Sequence, residues 1–502
     1  MPDEILLKIA GYVKGWMPSS AEPYRFSVYS GNLHNIKHLR LTCQRLYDIS
    51  SPFLIHFLTV SPQTSSLSRL EYIARHSTIR TGVQAVRLIL SFYDSSFAED
   101  INLFRDYAQV KLHDRLEELD DFTYSKDCVG FHAYLQPFPG KVGEVRAVLA
   151  SWAKRLPSNH EPSTPEDQSA WLFLRRAHKE YRRRFKDQQT ILENGQFIQR
   201  VASAFARMPN ASRLEIYDGT RCWERDLHYV LVEKSDKETL INDLVTPFPW
   251  GEASELGLEL PQSLDMVCNV PNAIVKAGGR IIAIAIVVSV PETFIALVPK
   301  DDRIRSLKKA LRALQFFSFD LRGLNEPGSR SRFMATEAKN LEAFLAGFID
   351  AETIQYLDLN FRALWEEEEP PTFGLNALIH PSHWAELSSI SWIGMPFYLC
   401  ELARFMHQLD LKTTYVSLDY MYLLDGAWRD ALDILRGKLK VNRHWSLRNV
   451  SGADYHMLSD QVKTAVFGNP LDFFGTNEAE RYLRGWRDGN PLRDDGAATG
   501  GS

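Results

Sequence analysis

The chain has 502 residues, of which 58 are basic and 63 acidic, so its net charge is −5. This near balance gives no electrostatic sign of a nucleic-acid or anionic-membrane partner. Apolar residues make up 45% of the chain, which is ordinary for a globular protein. A chain of this length exceeds one hydrophobic core, and we therefore expect two or more structural units.

Cysteine usage and apolar runs indicate the compartment. The five cysteines are far apart, at positions 43, 128, 222, 268 and 400, which is typical of reduced, mostly buried thiols rather than of disulfides or a metal cluster. The most apolar run, residues 281–290, is about half the length that a membrane span requires. The acidic opening lacks the apolar core of a signal peptide. The sequence predicts a soluble protein of the cytoplasm or nucleus.

Short amphipathic helices are predicted within the first sixty residues. Ile5, Leu6 and Ile9 recur at helical spacing and share one face, and Pro2 stands where a first helical turn tolerates proline. Residues 11–33 hold several glycines and prolines, so we interpret them as a loop. Leu39 and Leu46 then lie on one side of a second helix. Helices this short need each other, the rest of the chain or a partner to cover their apolar faces.

Helix and strand patterns follow one another after residue 53. Residues 53–60 fit either a third helix or a strand. Helical patterns cover 65–76, 100–122, 141–156 and 170–208, the last broken near residues 194–195, and a strand pattern covers 83–90. The arginines at 175, 176 and 182–184 form a basic patch. We interpret this patch as a solvated helix face balanced by nearby acids, rather than as a site for phosphate or acidic peptides.

A helix–strand unit repeats from residue 197 onward. Strand patterns lie at 213–217, 281–288, 316–321, 354–361, 386–393, 414–418 and 445–450. No glycine-rich phosphate turn joins a strand to its helix, so the spacing of roughly 28 to 38 residues favours an α/β stack of repeats over a doubly wound domain. In such a solenoid each unit is covered only by its neighbours. Alternation in the fourth strand predicts Leu357 and Leu359 inward, with Asp358 and Asn360 on a concave face.

No sequence motif points to catalysis. The chain lacks a phosphate loop, a His-Glu-x-x-His motif and a Gly-x-Ser-x-Gly elbow, so we predict neither an enzyme nor a cofactor or metal site. The pairs His34/His38 and His380/His383 have no acidic or cysteine partner at metal-ligand spacing. The acidic run 366–369 fits a solvated loop.

Aromatic residues crowd the C-terminal third of the chain. They are Trp384, Trp392, Tyr398, Tyr415, Tyr420, Tyr422 and Trp428. We expect most of them to build the repeat core. Those on the concave face, or in the loops after the strands, could anchor a partner because aromatic side chains dominate interface hot spots.

Two motifs in the first sixty residues resemble an F-box, the module that docks a substrate receptor onto an SCF-type cullin–RING ubiquitin ligase. They are Pro-x-Glu-Ile-Leu at residues 2–6 and Leu-x-x-x-Cys-x-x-Leu at residues 39–46. As a whole, the chain is similar to fungal F-box proteins with degenerate leucine-rich-type repeats. The resemblance implies N-terminal helices that bind the Skp-family adaptor and the cullin ligase core, and repeats that hold an unknown target protein.

The resemblance also implies a site and a division of the chain. The adaptor-binding positions would be Pro2, Ile5, Leu6, Ile9, Leu39, Leu41, Cys43 and Leu46. The parts would be an all-α F-box-like module at 1–58, a helix–strand unit with a long helical segment at 59–205, an irregular leucine-rich-repeat-like solenoid at 206–490 and a disordered tail at 491–502. Alternatively, the helices merely cap the solenoid of a scaffold protein with no ligase attached. Exposure of Ile5, Leu6, Leu39 and Leu46 would favour docking, and their full burial against residues 53–90 would favour the cap.

Overall fold

The computed structural model describes most of the chain. The described residues are 2–14, 32–124, 139–153, 164–193, 195–219, 241, 244–258, 265–291, 293–298, 301–322, 335–365, 374, 384–409, 412–437, 444–468 and 476–493. Several sequence-based expectations concern positions outside the described residues. They are the centre of the N-terminal loop, Cys128, Cys222, the acidic run 366–369, His380, His383 and the last nine residues.

Within the described residues, nine parallel strands form one sheet, and their order in the sheet is their order in the chain. They are β1 (Phe57–Val60), β2 (Ala85–Ile89), β3 (Arg213–Tyr217), β4 (Ala283–Ser289), β5 (Phe316–Arg322), β6 (Tyr356–Asn360), β7 (Ser389–Ile393), β9 (Tyr415–Asp419) and β11 (His444–Arg448). Three two-residue strands, β8 (Pro396–Phe397), β10 (Tyr422–Leu423) and β12 (Ser451–Gly452), pair in a second, small parallel sheet. The prediction of an α/β protein is confirmed.

Helices precede and follow the strands. They are α1 (Asp3–Lys14), α2 (Leu33–Arg40), α3 (Gln44–Ser50), α4 (Thr64–Arg75), α5 (Ser95–Glu99), α6 (Ile101–Tyr124), α7 (Pro139–Ala153), α8 (Pro165–Glu193), α9 (Gln196–Ala206), α10 (Trp250–Glu255), α11 (Met266–Lys276), α12 (Asp301–Ala310), α13 (Ala335–Ile349), α14 (Leu399–Gln408), α15 (Trp428–Arg436), α16 (Asp460–Phe467) and α17 (Glu478–Leu483). None of the helices among the described residues is both long and apolar enough to cross a membrane.

The helices form a layer on one face of the sheet. In β5, β6, β7, β9 and β11 every second side chain is buried, and these side chains meet the helices. Phe317 of β5 stacks on Phe348 of α13 with ring centres 5.3 Å apart, and Trp392 of β7 contacts Phe405 of α14 at 4.3 Å. Alternation along a strand sends neighbouring side chains to opposite faces. The second face of these five strands therefore stays partly open, and we call it the open face.

The sequence-based assignment of β6 is confirmed in detail. Leu357 and Leu359 are buried on the helix side, while Asp358 and Asn360 are only half-buried on the open face. Asn360 Nδ2 donates to Asp320 Oδ1 of β5 at 2.8 Å. Polar side chains of neighbouring strands thus bond each other along the open face, without closing it.

The amino-terminal part of the sheet differs, because β2, β3 and β4 are buried on both faces. On the second face, Glu215 of β3 accepts hydrogen bonds from Arg87 Nε and Arg213 Nε, each at 2.8 Å. The Arg87 guanidinium also lies between the rings of Phe57 and Tyr217, at 4.3 and 4.4 Å. A buried carboxylate shared by two guanidiniums thus ties β2 to β3.

Of the two alternatives for residues 53–60, the structure shows a strand at 57–60, preceded by a turn of 3₁₀ helix at Ser51–Phe53. Two expectations need correction. Leu39 and Leu46 lie on two successive helices, α2 and α3, rather than on one. The thiols of Cys43 and Cys400 are exposed and only Cys268 is buried, so the expectation of mostly buried thiols is wrong for two of the three described cysteines. Both exposed thiols lie at helix starts, where the side chain points away from the core.

A further expectation concerns the division of the chain. β1 and β2 belong to the same sheet as β3, so the sheet continues across the expected division at residues 205–206.

Another expectation concerns the basic patch of α8. Arg183 and Arg184 of this patch both bond Glu180, which agrees with a helix face balanced by nearby acids.

Candidate docking site

The first three helices pack against one another. α1 contacts α2 and α3, and each helix has one buried apolar side chain, namely Ala10, Ile36 and Ile49. An ion pair between Asp3 and Arg45, with Oδ1 and Nη2 at 2.6 Å, joins the first turn of α1 to the first turn of α3. Both side chains of this pair are more than half exposed, so it contributes roughly 0.2–1 kcal/mol. We call residues 2–14 and 32–53 the helical module.

The helical module is fixed to the sheet by contacts around residues 52–56. The buried Lys14 at the end of α1 donates to the Phe53 carbonyl at 2.5 Å. Gly82 lies so close to Pro52 that a Cβ at position 82 would come within 1.7 Å of the Pro52 carbonyl oxygen. The carbonyl of His56 accepts from the backbone N–H groups of Gln84 and Ala85. The module is thus held in one position relative to β1 and β2.

Two basic groups at this junction have lowered pKa values. Burial lowers the pKa of the Lys14 ammonium to about 8. Burial, followed by the charge of Lys14, lowers the pKa of His56 to about 4, although the Gly82 carbonyl, 3.0 Å from Nδ1, acts in the opposite direction. His56 is therefore neutral near pH 7, and its Nδ1–H donates to the Gly82 carbonyl.

One face of α1 is an exposed apolar stripe. Ile5, Ile9 and Tyr12 are 47%, 40% and 65% exposed, and their spacing of four and three residues places them on one side of the helix. Leu41, in the turn before α3, is 82% exposed. Because the Asp3–Arg45 pair holds the start of α3 against the start of α1, Leu41 lies toward the same end of the module as Ile5.

The structure places all eight positions implied by the F-box resemblance at least partly in solvent. Five are exposed, namely Pro2, Ile5, Ile9, Leu41 and Cys43. Three are half-buried between the helices, namely Leu6, Leu39 and Leu46. None of the eight is fully buried against the sheet. α1, α2 and α3 therefore bring these positions together in one module, and the exposed five are available to a partner.

Sequence reasoning missed one member of this surface. Tyr12 continues the stripe of Ile5 and Ile9 by one helical turn. The heptad spacing of Ile5 and Tyr12 was the available signal. It was obscured because Gly11 and the glycine- and proline-rich segment after it suggested that the helix ends at residue 10, whereas α1 continues to Lys14.

The stripe on α1 is apolar, and a pair of histidines lies on the neighbouring helix α2. Among the described residues, no group of three or more His, Cys, Asp or Glu side chains could hold a metal ion. His34 and His38 touch each other on the exposed side of α2, with their Nε2 atoms 2.7 Å apart. Exposed apolar side chains on a rigid helix face are suited to burial against another protein.

No protein-family model matches the chain, and no curated protein is similar enough to count as a relative.

Proposed function

We propose that this protein is the substrate-recognition subunit of an SCF-type cullin–RING ubiquitin ligase. In this proposal the helical module is an F-box that binds the Skp-family adaptor. The nine-stranded sheet with the helices packed on it, which we call the strand array, is an irregular leucine-rich-repeat-like solenoid that holds a target protein. The observation that carries the proposal is the exposed apolar stripe Ile5–Ile9–Tyr12 on α1, a helix that already packs against α2 and α3.

The energetics favour docking over a merely capping role. A cap would bury its apolar face against the array, whereas here that face points into solvent at Ile5, Ile9 and Tyr12. Removing the exposed half of each side chain from water would contribute on the order of 1 kcal/mol per residue. With Leu41 and the half-buried leucines, the surface has the size and rigidity from which an interface core is built.

Separate binding surfaces for the ligase and for the target explain how a protein without catalytic motifs would take part in ubiquitin transfer. The ligase holds the conjugating enzyme at one end and the receptor holds the target at the other. Tethering raises the effective concentration of a target lysine beside the activated ubiquitin. The close approach of Pro52 in the module to Gly82, between β1 and β2, would help to transmit this geometry from the adaptor to the target.

A pull-down with the Skp-family adaptor tests the proposal. The test variant is Ile5→Asp with Ile9→Asp, because both side chains are exposed and the buried Ala10, Ile36 and Ile49 are unchanged. The matched control is Ile295→Asp, since Ile295 is also exposed, at 63%, but lies after β4. We expect adaptor recovery with the wild type and the control, and loss with the test variant. Equal recovery with all three, or none with any, would refute the adaptor-binding role.

A further inference from the structure

Three serines occupy the same level of the open face on three adjacent strands. Ser391 of β7 pairs in register with Ser417 of β9, which pairs with Ser446 of β11. All three are half-buried. None of their hydroxyls bonds another group of the described chain. We call these residues the serine row.

The serine row has the dimensions of a short stretch of extended chain. Neighbouring strands are about 4.8 Å apart, so the row spans about 10 Å, which an extended peptide crosses in roughly three residues. A hydroxyl both donates and accepts hydrogen bonds. The row can therefore bond the N–H and C=O groups of a peptide backbone that crosses the strands.

Rings line one side of the serine row. Two residues before the serines, Tyr415 of β9 and His444 of β11 are paired in register and stacked, with ring centres 5.1 Å apart and planes at 17°. Burial, and then the charge of Arg484, lowers the pKa of His444, so this ring is neutral near pH 7. Such uncharged rings can contact apolar or cationic side chains of a ligand that lies on the serine row.

A carboxylate lies on the other side of the row. Asp419 stands two residues after Ser417 on β9, and its Oδ1 accepts from Asn449 Nδ2 at 2.8 Å and from the Tyr420 N–H at 3.0 Å. Both donors are neutral. No basic side chain of the described residues lies within ion-pair distance of this carboxylate. Arg448, at the same level on β11, is instead directed to Glu480, 3.6 Å away.

The backbone beside Asp419 is held in a demanding conformation. Tyr420 has a φ of +51°, a region that bulky residues rarely adopt. At the equivalent positions after β7 and β11 the chain has Gly394 and Asn449, also with positive φ. The guanidinium of the exposed Arg362 covers the Tyr420 ring at 3.7 Å. A tyrosine thus stands at the end of the serine row, although glycine or asparagine would adopt this backbone conformation with less strain.

We infer that the open face over β7, β9 and β11 binds an extended peptide segment that carries a lysine or arginine, with its backbone on Ser391, Ser417 and Ser446 and its basic side chain on Asp419. The choice of a basic peptide follows from charge complementarity, because no basic side chain of the described residues lies within ion-pair distance of the Asp419 carboxylate. The inference rests on the proposed function in one respect, since it names the kind of segment by which the array would hold its target.

Positional peptide pools test this inference on the full-length protein. The probes are three octapeptide pools, each random except for one fixed central residue, which is Lys, Gln or Glu. We expect the immobilised wild type to retain the Lys pool about tenfold more than the Gln pool, and the Glu pool least. Equal retention of the Lys and Gln pools, or preference for Glu, would overturn the inference.

Three variants assign the binding to the serine row. Asp419→Asn should abolish the preference for Lys, while Ser417→Leu, which fills the row without removing a charge, should abolish retention of all pools. The control Asp488→Asn removes an exposed carboxylate far along the chain and should behave as wild type. Retention that is unchanged by both Asp419→Asn and Ser417→Leu would refute the site.

Adaptor binding of the same variants separates this inference from the proposed function. If Asp419→Asn and Ser417→Leu lose the Lys pool but still recover the adaptor, both proposals are supported. If the wild type retains the Lys pool and never recovers the adaptor, the peptide site stands and the ligase role fails. If the adaptor is recovered without any Lys preference, the peptide site fails and the ligase role stands.

Discussion

Two regions of this protein differ in how far their apolar side chains are buried. In the strand array, β5, β6, β7, β9 and β11 bury alternate apolar side chains under helices, as Leu357 and Trp392 show. In the helical module, Ile5, Ile9 and Tyr12 are exposed, although α1 already packs against α2 and α3. The difference teaches that the exposed stripe is not needed for folding, and this makes it available for a partner.

The largest change in the free energy of unfolding is expected for the buried ion pairs of Glu215. Glu215→Gln would leave the buried Arg87 and Arg213 without the carboxylate that both contact at 2.8 Å, so we expect a loss of about 3–5 kcal/mol in the free energy of unfolding. Urea denaturation measures it. The matched control is Glu386→Gln, whose ion pair with Lys412 is half exposed and should contribute less than about 1 kcal/mol. Equal losses would show that burial of the Glu215 pair has no energetic consequence.

A pair of leucine substitutions compares the two regions directly. Leu357→Ala removes a side chain that is 1% exposed, and we expect it to lower the free energy of unfolding by about 2–5 kcal/mol. Leu41→Ala removes one that is 82% exposed, and the change should stay within about 0.5 kcal/mol. Both are measured by the same urea titration. A large loss for Leu41→Ala would mean that the module surface is part of the core.

A smaller effect is expected at the junction of the two regions, and it depends on pH. The unfolded chain protonates His56 near its ordinary pKa of 6.5, whereas the folded protein protonates it only near 4. Between these values the unfolded state binds more protons, so the contribution of His56 lowers stability as the pH falls from about 6.5 to 4. Lys14 is protonated in both states over this range, because even its lowered pKa is about 8.

The variant His56→Gln isolates this contribution. An amide can still donate to the Gly82 carbonyl but does not titrate, so we expect a weaker loss of stability between pH 6.5 and 4 than in the wild type. Thermal unfolding at several pH values in this range measures the difference. Parallel curves for the variant and the wild type would contradict the assignment of His56 as an acid-sensitive group.

The positions of the strands could be predicted from the sequence more fully than their pairing and the coverage of their faces. The strand patterns at 316–321 and 354–361 predicted β5 and β6 to within two residues at each end, and alternation identified Leu357 and Leu359 as inward residues of β6, because a period of two is a local property of the chain. The two-residue strands β8, β10 and β12 could not be predicted, since they are defined by their pairing and not by a pattern.

The candidate site shows the same limit. Helical spacing indicated that Ile5, Leu6 and Ile9 share a face, but a period does not tell whether that face is covered. Leu6 is half-buried while Ile5 and Ile9 are exposed, and this distinction depends on where α2 and α3 pack. The exposure of Leu41 and the inclusion of Tyr12 likewise required the positions of all three helices.

The most direct test of the docking claim is the dissociation constant for the purified Skp-family adaptor, measured by titration calorimetry with the full-length protein. We expect the wild type and Ile295→Asp to bind with equal affinity, and Ile5→Asp with Ile9→Asp to bind at least about a hundredfold more weakly, because each buried carboxylate would lack a partner. Unchanged affinity in the double variant, or no binding by the wild type, would contradict the claim that the exposed stripe of α1 is an adaptor-docking surface.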